Sequence, residues 1–201
     1  VDIEAAFLDE EDVMKICERM VVKCIDDVID KNRGELKTLG RELEAPDLPF
    51  ERITYGEAVD LLREYGFEIR LGEDLTDLAL KKLGEIKRGF YWIKDWPLDL
   101  KPFYIEAKVG GLSWSFDLQY GGLELASGGR RVSKKSILEE RLRRAGLNPR
   151  DFSDHLKAFD WGMPPHSGWG FGFDRFMMIL TGRENIREVV LYPRDVERLT
   201  P

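Results

Sequence analysis

The sequence predicts an α+β fold: a largely antiparallel sheet flanked by helices. Three observations predict it. Segments between residues 90 and 132 alternate or concentrate apolar residues as strands do. Gly121-Gly122 separates two such runs by the two-residue loop of a hairpin. Helical periodicity brackets this run of strands instead of interleaving with it, which favours antiparallel pairing over a parallel, doubly wound sheet. At 201 residues the chain is long enough to bury a sizeable core without disulfides or metals.

The elements follow in order. Val1–Phe7 reads as a strand, and a chain that opens inside a strand suggests a truncated chain or a partner strand upstream. A helix from about Glu10 to Asn32 has Val13, Ile16, Met20, Cys24, Val28 and Ile29 on its apolar face, with Cys17 and Val21 alongside. Residues 33–50, with Gly34, Gly40, Pro46 and Pro49, read as a connector. Thr54 and Glu57 form a capping box that starts a helix running toward Gly66, and a second short helix spans about Asp74–Leu83. Strands are expected at Phe90–Ile93, Phe103–Lys108, Ser113–Tyr120 and Leu123–Val132. Helices follow at Lys134–Ala145 and Asp151–Trp161, then a glycine-rich strand at Gly168–Phe171 and a helix at Gly172–Leu180 with Phe173, Phe176, Met177 and Leu180 as its core stripe. A last strand is expected at Val189–Tyr192.

Composition excludes several classes. Lys plus Arg is 31 and Asp plus Glu is 38, a net charge of −7, so the chain is no histone-like nucleic-acid binder. Its first 50 residues hold 14 acidic and 7 basic side chains and carry the whole excess. No apolar run reaches the length of a membrane span and no signal-peptide pattern opens the chain, so the expected setting is the cytoplasm, with no membrane partner. Cys17 and Cys24, seven apart on one helix, are roughly 10 Å apart and too distant for a disulfide; both are expected in the core. Zinc-ribbon, zincin and P-loop patterns are absent.

Three segments carry chemistry. In Ser113–Tyr120, Trp114, Phe116, Leu118 and Tyr120 alternate with Ser113, Ser115, Asp117 and Gln119, giving one core face and one polar face. If Tyr120 pairs with Leu123, then Gln119 faces Glu124 and Asp117 faces Ala126. Asp117 and Glu124 become diagonal neighbours roughly 7–8 Å apart. Two carboxylates so placed can hold a divalent cation, best Mg²⁺ shared with phosphate oxygens; the commoner outcome for such spacing is two solvated carboxylates. In Glu124–Arg131, strict alternation sets Ser127 and Arg131 opposite Glu124, and Gly128-Gly129 allows a bulge that could re-aim them. Arg131 could clamp a carboxylate or phosphate, or simply guard a sheet edge. In Gly168-Trp169-Gly170-Phe171-Gly172, alternate glycines clear one face so that a flat ligand can approach the backbone, with Arg175 in the following helical turn beside it. His155 reads as a surface or packing residue, and His166 as a pocket residue. Trp92 and Trp96 read as packing. The basic stretch Arg130–Arg144 could meet nucleic acid, though a solvated helix face is the commoner outcome, and no Ser or Cys in nucleophile context stands beside a histidine to suggest a triad.

These segments occur in the order of a known family. Ile53-Thr54-Tyr55-Gly56-Glu57-Ala58, Asp95-Trp96-Pro97 leading to Lys101-Pro102-Phe103-Tyr104, Ser115-Phe116-Asp117-Leu118 and Gly122-Leu123-Glu124-Leu125-Ala126-Ser127-Gly128 come first. Trp161-Gly162-Met163-Pro164-Pro165-His166-Ser167-Gly168-Trp169-Gly170, Gly172-Phe173-Asp174-Arg175 and Leu180–Val189 through Tyr192-Pro193-Arg194 complete the series. The chain resembles the C-terminal part of the catalytic domain of class II aminoacyl-tRNA synthetases, nearest the archaeal-type aspartyl enzymes. Arg130-Arg131-Val132-Ser133 stands where that family usually reads Gln-Arg-Ile-His. This departure keeps both aspartate and asparagine open as the amino acid.

The resemblance implies a six-stranded antiparallel sheet on which ATP activates aspartate before the acyl group passes to tRNA. Glu124 and Ser127 match Mg²⁺-contacting positions, with Asp117 a further metal-site carboxylate. Arg131 matches the arginine that clamps the aspartate side chain, and Lys101 lies near the amino-acid pocket. Arg175 matches the arginine that meets the adenine and the γ-phosphate, over a floor made by Gly168, Gly170 and Gly172. Glu4 falls on the second strand of motif 2. Residues 1–201 would then be the later part of a catalytic domain in a homodimeric parent. The anticodon-binding domain, motif 1 and the motif 2 arginine lie outside it, so the isolated chain is expected to be inactive. Two other readings remain at this stage: a paralogue making a free product, such as an ammonia-dependent asparagine synthetase, and a non-catalytic ligand- or partner-binding module.

Overall fold

The structure, a computed structural model, describes residues 1–200. Six strands form one sheet in the order β1-β6-β5-β4-β3-β2. They are β1 (Asp2–Ala6), β2 (Glu51–Thr54), β3 (Phe90–Lys94), β4 (Ser115–Tyr120), β5 (Leu123–Arg130) and β6 (His166–Phe171). Every neighbouring pair is antiparallel except β2 with β3, which is parallel. The helices are α1 (Glu10–Lys31), α2 (Arg33–Leu39), α3 (Tyr55–Glu64), α4 (Asp77–Ile86), α5 (Lys135–Arg144), α6 (Ser153–Asp160) and α7 (Phe173–Thr181).

One face of the sheet packs on α1 and α7. Trp92, Phe116, Leu118, Trp169 and Phe171 meet Val13, Met14, Cys17, Val21 and Ile25 from α1, and Phe176, Ile179 and Leu180 from α7. The fully buried stripe of α1 runs through Val13, Cys17, Val21 and Ile25, with Ile16, Met20, Val28 and Ile29 half-buried against the same cluster as expected; Cys24 is exposed instead of joining them. On α7, Phe173 is exposed instead of joining the stripe. A charge is set into the α1 contact. Buried Glu18 accepts from the Trp92 indole at 2.8 Å and pairs with Arg52 of β2 at 2.9 Å. That pair ties the outermost strand to the helix beneath it and neutralises a carboxylate that burial would otherwise disfavour.

The opposite face carries two further apolar clusters. Ile53, Tyr55, Val59, Leu83, Tyr91, Ile93 and Trp96 pack under α3 and α4 at the β2–β3 side. Val132, Leu138, Leu142 and Leu156 pack under α5 and α6 beyond the end of β5. Between them lies a polar strip of sheet. The capping box at Thr54 and Glu57 is present and starts α3, as expected from sequence. The β4–β5 turn at Gly121-Gly122 is equally as expected, and α4 rests on it: a Cβ on Gly84 would lie 2.1 Å from the Gly122 nitrogen.

Three further expectations are corrected, and one strand is additional. Residues 33–50 contain α2, a short helix with no buried residue, and so with no apolar stripe to betray it. β2 was hidden because Glu51-Arg52-Ile53-Thr54 offers little apolar alternation. Phe103–Lys108 is no strand but a loop held by isolated bridges, Ile105 to Arg131 and Ala107 to Ser113. Val189–Tyr192 forms no strand either; it follows a short 3-10 turn at Ile186–Glu188 and leaves Leu191 and Tyr192 exposed.

Candidate active site

Strand register assembles the polar strip. Asp2 of β1, Gly170 of β6, Ser127 of β5 and Asp117 of β4 are successive partners across the sheet. The next row is Glu4, Gly168, Gly129 and Ser115. Because side chains alternate along each strand, all these residues point to one face.

Glu124 joins them through a bulge. Leu118 pairs with Ala126 and Gln119 with Glu124, so Leu125 is the extra residue. Both Leu125 and Ala126 face the α1 core. The expected pairing of Gln119 with Glu124 holds, but Asp117 faces Ser127 instead of Ala126. The bulge lies at Leu125, not at Gly128-Gly129. Its effect is to bring Glu124 onto the face that carries Asp117, Ser127 and Arg131, where strict alternation would have turned it away.

The charges are distributed along this strip. Lys101 Nζ donates to Asp117 Oδ2 at 2.7 Å and lies 4.0 Å over the Trp96 ring. Asp117 is 1% exposed, and its other carboxylate oxygen has no hydrogen-bond partner in the protein. Arg175, in the first turn of α7, donates to the Glu124 carbonyl at 2.7 Å and lies 3.5 Å from its carboxylate. Burial pushes the Glu124 carboxyl above its ordinary value; the Asp117 carboxylate adds to this, while Arg175 and Lys101 oppose it. At the other end, the Arg131 guanidinium grips Glu4 with Nη2 at 2.7 Å and Nε at 3.1 Å, and sits 5.2 Å from the Tyr104 ring.

A cavity of about 670 Å³ opens over this face. Asp2, Lys101, Tyr104, Ser127, Arg131 and His166 line it. Glu124 and Arg175 lie beyond its lining, further along β5. His166 is a pocket residue as expected, and His155 lines the cavity as well. The glycines act individually. Gly170 is part of the cavity wall. A Cβ on Gly168 would fall 2.4 Å from the Glu4 carboxyl carbon, so its space is taken by that side chain. Gly172 gives room to Arg175, whose Cδ would lie 3.4 Å from an added Cβ. Sequence reasoning missed Asp2 and Tyr104. Asp2 shares the alternation that presents Glu4, and that was the available signal.

The basic stretch is mostly paired within the fold. Arg130 meets Glu106, Lys135 meets Asp160, and Arg143 and Arg144 meet Glu139 and Glu140.

Among the described residues no three His, Cys, Asp or Glu side chains form a metal cage. A cage is not what Mg²⁺ beside a nucleotide needs: it takes one or two carboxylates and completes its shell with phosphate oxygens and water. The buried, unpartnered Asp117 Oδ1, with Glu124 and the Ser127 hydroxyl on the same face, fits that limited demand.

A family model described as tRNA synthetases class II (D, K and N) matches residues 1–196. The chain belongs to that family. It is 51% identical to an aspartate–tRNA(Asp/Asn) ligase of Methanothermobacter thermautotrophicus and 48% identical to that of Methanocaldococcus jannaschii, in each case over the whole of this chain and 46% of the relative. The chain thus spans about half the length of these curated relatives. Among solved structures, asparaginyl-tRNA synthetase from Pyrococcus horikoshii superposes with a TM-score of 0.92 at 26% identity, covering all of this chain and 49% of that one. Aspartyl tRNA synthetase from Entamoeba histolytica gives 0.91 at 31%, covering 44% of that chain. The α+β architecture and the family resemblance expected from sequence are both borne out. No described helix is long and apolar enough to cross a membrane.

Proposed function

We propose that the chain is the later part of the catalytic domain of an aspartate–tRNA ligase, acting in a longer, homodimeric, cytoplasmic protein. One observation carries this reading: a single face of the sheet gathers Asp117, Ser127 and Glu124 between two guanidinium groups, Arg131 at one end and Arg175 at the other. That array suits a small dicarboxylic amino acid joined end to end with a polyphosphate.

Arg131 clamps the aspartate side chain, its fork already shaped by a carboxylate, that of Glu4. Lys101, at the cavity wall beside Asp117, supplies a second positive charge to the amino acid. Arg175 meets the nucleotide, its guanidinium balancing the γ-phosphate while Gly170 lets the ligand lie close to the backbone. Glu124, Asp117 and Ser127 would hold Mg²⁺, which neutralises phosphate charge as pyrophosphate departs. The aspartate α-carboxylate attacks the α-phosphorus, and the bond from that phosphorus to the β-bridging oxygen breaks. No covalent nucleophile is needed, in keeping with a site rich in charge and without a triad; catalysis comes from position and electrostatics. A hydroxyl at the tRNA 3′ end then attacks the aspartyl carbonyl carbon, the bond from that carbon to the adenylate oxygen breaks, and AMP leaves as the hydroxyl proton passes to its phosphate. The relatives' names include both tRNA(Asp) and tRNA(Asn), so both are acceptors to test.

The test is aspartate-dependent exchange of pyrophosphate into ATP by the full-length protein. Exchange with aspartate and Mg²⁺, and not with asparagine, is the expected result. Absence of aspartate-dependent exchange would refute the proposal.

A further inference from the structure

Gln119 is fully buried, and neither its amide nitrogen nor its amide oxygen has a hydrogen-bond partner in the protein. A buried primary amide can make four hydrogen bonds, and leaving it with none is costly. A sheet interior tolerates this rarely, and such a group calls for an explanation. An apolar side chain of the same length would fill the position without that cost.

The register shows what surrounds it. Gln119 is the direct partner of Glu124 across β4–β5, on the same face, at the bulge itself. Asp117, two residues earlier on that face, offers an unpartnered Oδ1. On the other side Tyr91 is its partner; the Tyr91 hydroxyl donates its proton to the Gly121 carbonyl at 2.8 Å and so has none to offer the amide oxygen. Glu124 is held by Arg175 only at 3.5 Å through its carboxylate. The charged acceptors on the face this amide shares are the two carboxylates of the acidic strip, which bind an N–H more strongly than the neutral Tyr91 oxygen can.

We propose that Gln119 is a positioning residue, whose side-chain amide donates to the Glu124 carboxylate and fixes its aim when a divalent cation and nucleotide bind. This rests on the proposed function above. Groups that orient metal-binding side chains without touching the metal commonly account for ten- to hundredfold in affinity. The unpaired amide is then a stability cost carried for the liganded state.

The experiment compares the full-length protein with its Gln119→Met variant, which keeps length and volume and removes both amide groups. Mn²⁺ binding in the presence of ATP is measured by electron paramagnetic resonance, and unfolding by heat. The expected result is Mn²⁺ affinity about tenfold weaker, with a melting temperature equal to or above that of the wild type. Restoration of affinity in Gln119→His, which regains a ring N–H donor, supports the same conclusion. Equal Mn²⁺ affinity in wild type and Gln119→Met would overturn the inference alone. Weaker binding accompanied by a lower melting temperature would also overturn it, because the amide would then be serving the fold. If the wild type binds no Mn²⁺ with ATP, the cation site in the proposed function fails, and this inference with it.

Discussion

Lys101 Nζ and Asp117 Oδ2 meet at 2.7 Å at a depth where Asp117 is 1% exposed, with the Trp96 ring lying against the ammonium. A lysine from an irregular loop and an aspartate from the middle of a strand thus form one unit. It gives a carboxylate buried in the sheet a charged partner and leaves its second oxygen free to act.

Removing one partner strands the other. Lys101→Met leaves Asp117 buried and uncompensated, and should cost about 3–5 kcal/mol. Adding Asp117→Asn should restore most of it. Urea unfolding of the full-length wild type, single and double variants checks this; a single variant with wild-type stability would show that the pair contributes nothing.

Arg131 grips Glu4 with two nitrogens, geometry that an ammonium cannot reproduce. Arg131→Lys should therefore raise the KM for aspartate roughly ten- to hundredfold in pyrophosphate exchange while leaving the KM for ATP near its original value. A proportional rise in both constants would remove Arg131 from the amino-acid pocket.

Glu124 has a carboxyl raised above 4.5 by burial and by Asp117. The folded state therefore binds this proton more tightly than the unfolded chain. The associated stability is present below the ordinary carboxylate range and is lost as pH rises through the folded-state value. Glu124→Gln removes that loss, so the variant should melt above the wild type at pH 7, with the gain shrinking as pH falls toward 4.5. Melting curves across pH 4–7 check the sign. The same variant should fail to support Mg²⁺-dependent adenylate formation.

Two neighbouring glycines should respond differently to alanine. A Cβ at Gly168 would lie 2.2 Å from the Ile3 carbonyl oxygen, so strand β1 must move; Gly168→Ala should cost about 1–3 kcal/mol. At Gly170 the nearest atom is Asp2 Oδ1, at 3.0 Å and on a side chain that can turn aside. Gly170→Ala should fold normally, within about 0.5 kcal/mol, and raise the KM for ATP. Urea midpoints and exchange kinetics separate the two.

Much of this site is legible in the sequence because it is written in local patterns. The alternation from Ser113 to Tyr120, the Gly121-Gly122 turn and the Thr54–Glu57 box each depend on neighbouring residues. Asp117, Glu124 and Arg175 could therefore be brought toward one face before any coordinates. What could not be read was pairing. β2 is a strand because β3 lies beside it and Glu18 receives its Arg52, facts held far away in the chain. Phe103–Lys108 has apolar alternation without a ladder because Arg131 and Ser113 meet it only at single bridges. The bulge at Leu125 has no glycine to announce it; two adjacent apolar residues, Leu125 and Ala126, both fit the α1 side.

That single unpaired leucine makes the location of an acidic group a matter of counting. Draw Leu125 into the ladder as an ordinary paired residue, and the pleat carries Glu124 to the oily side of the sheet and Leu125 into its place, with every functional side chain still encoded. Odd and even, not chemistry alone, decide whether the strip remains acidic.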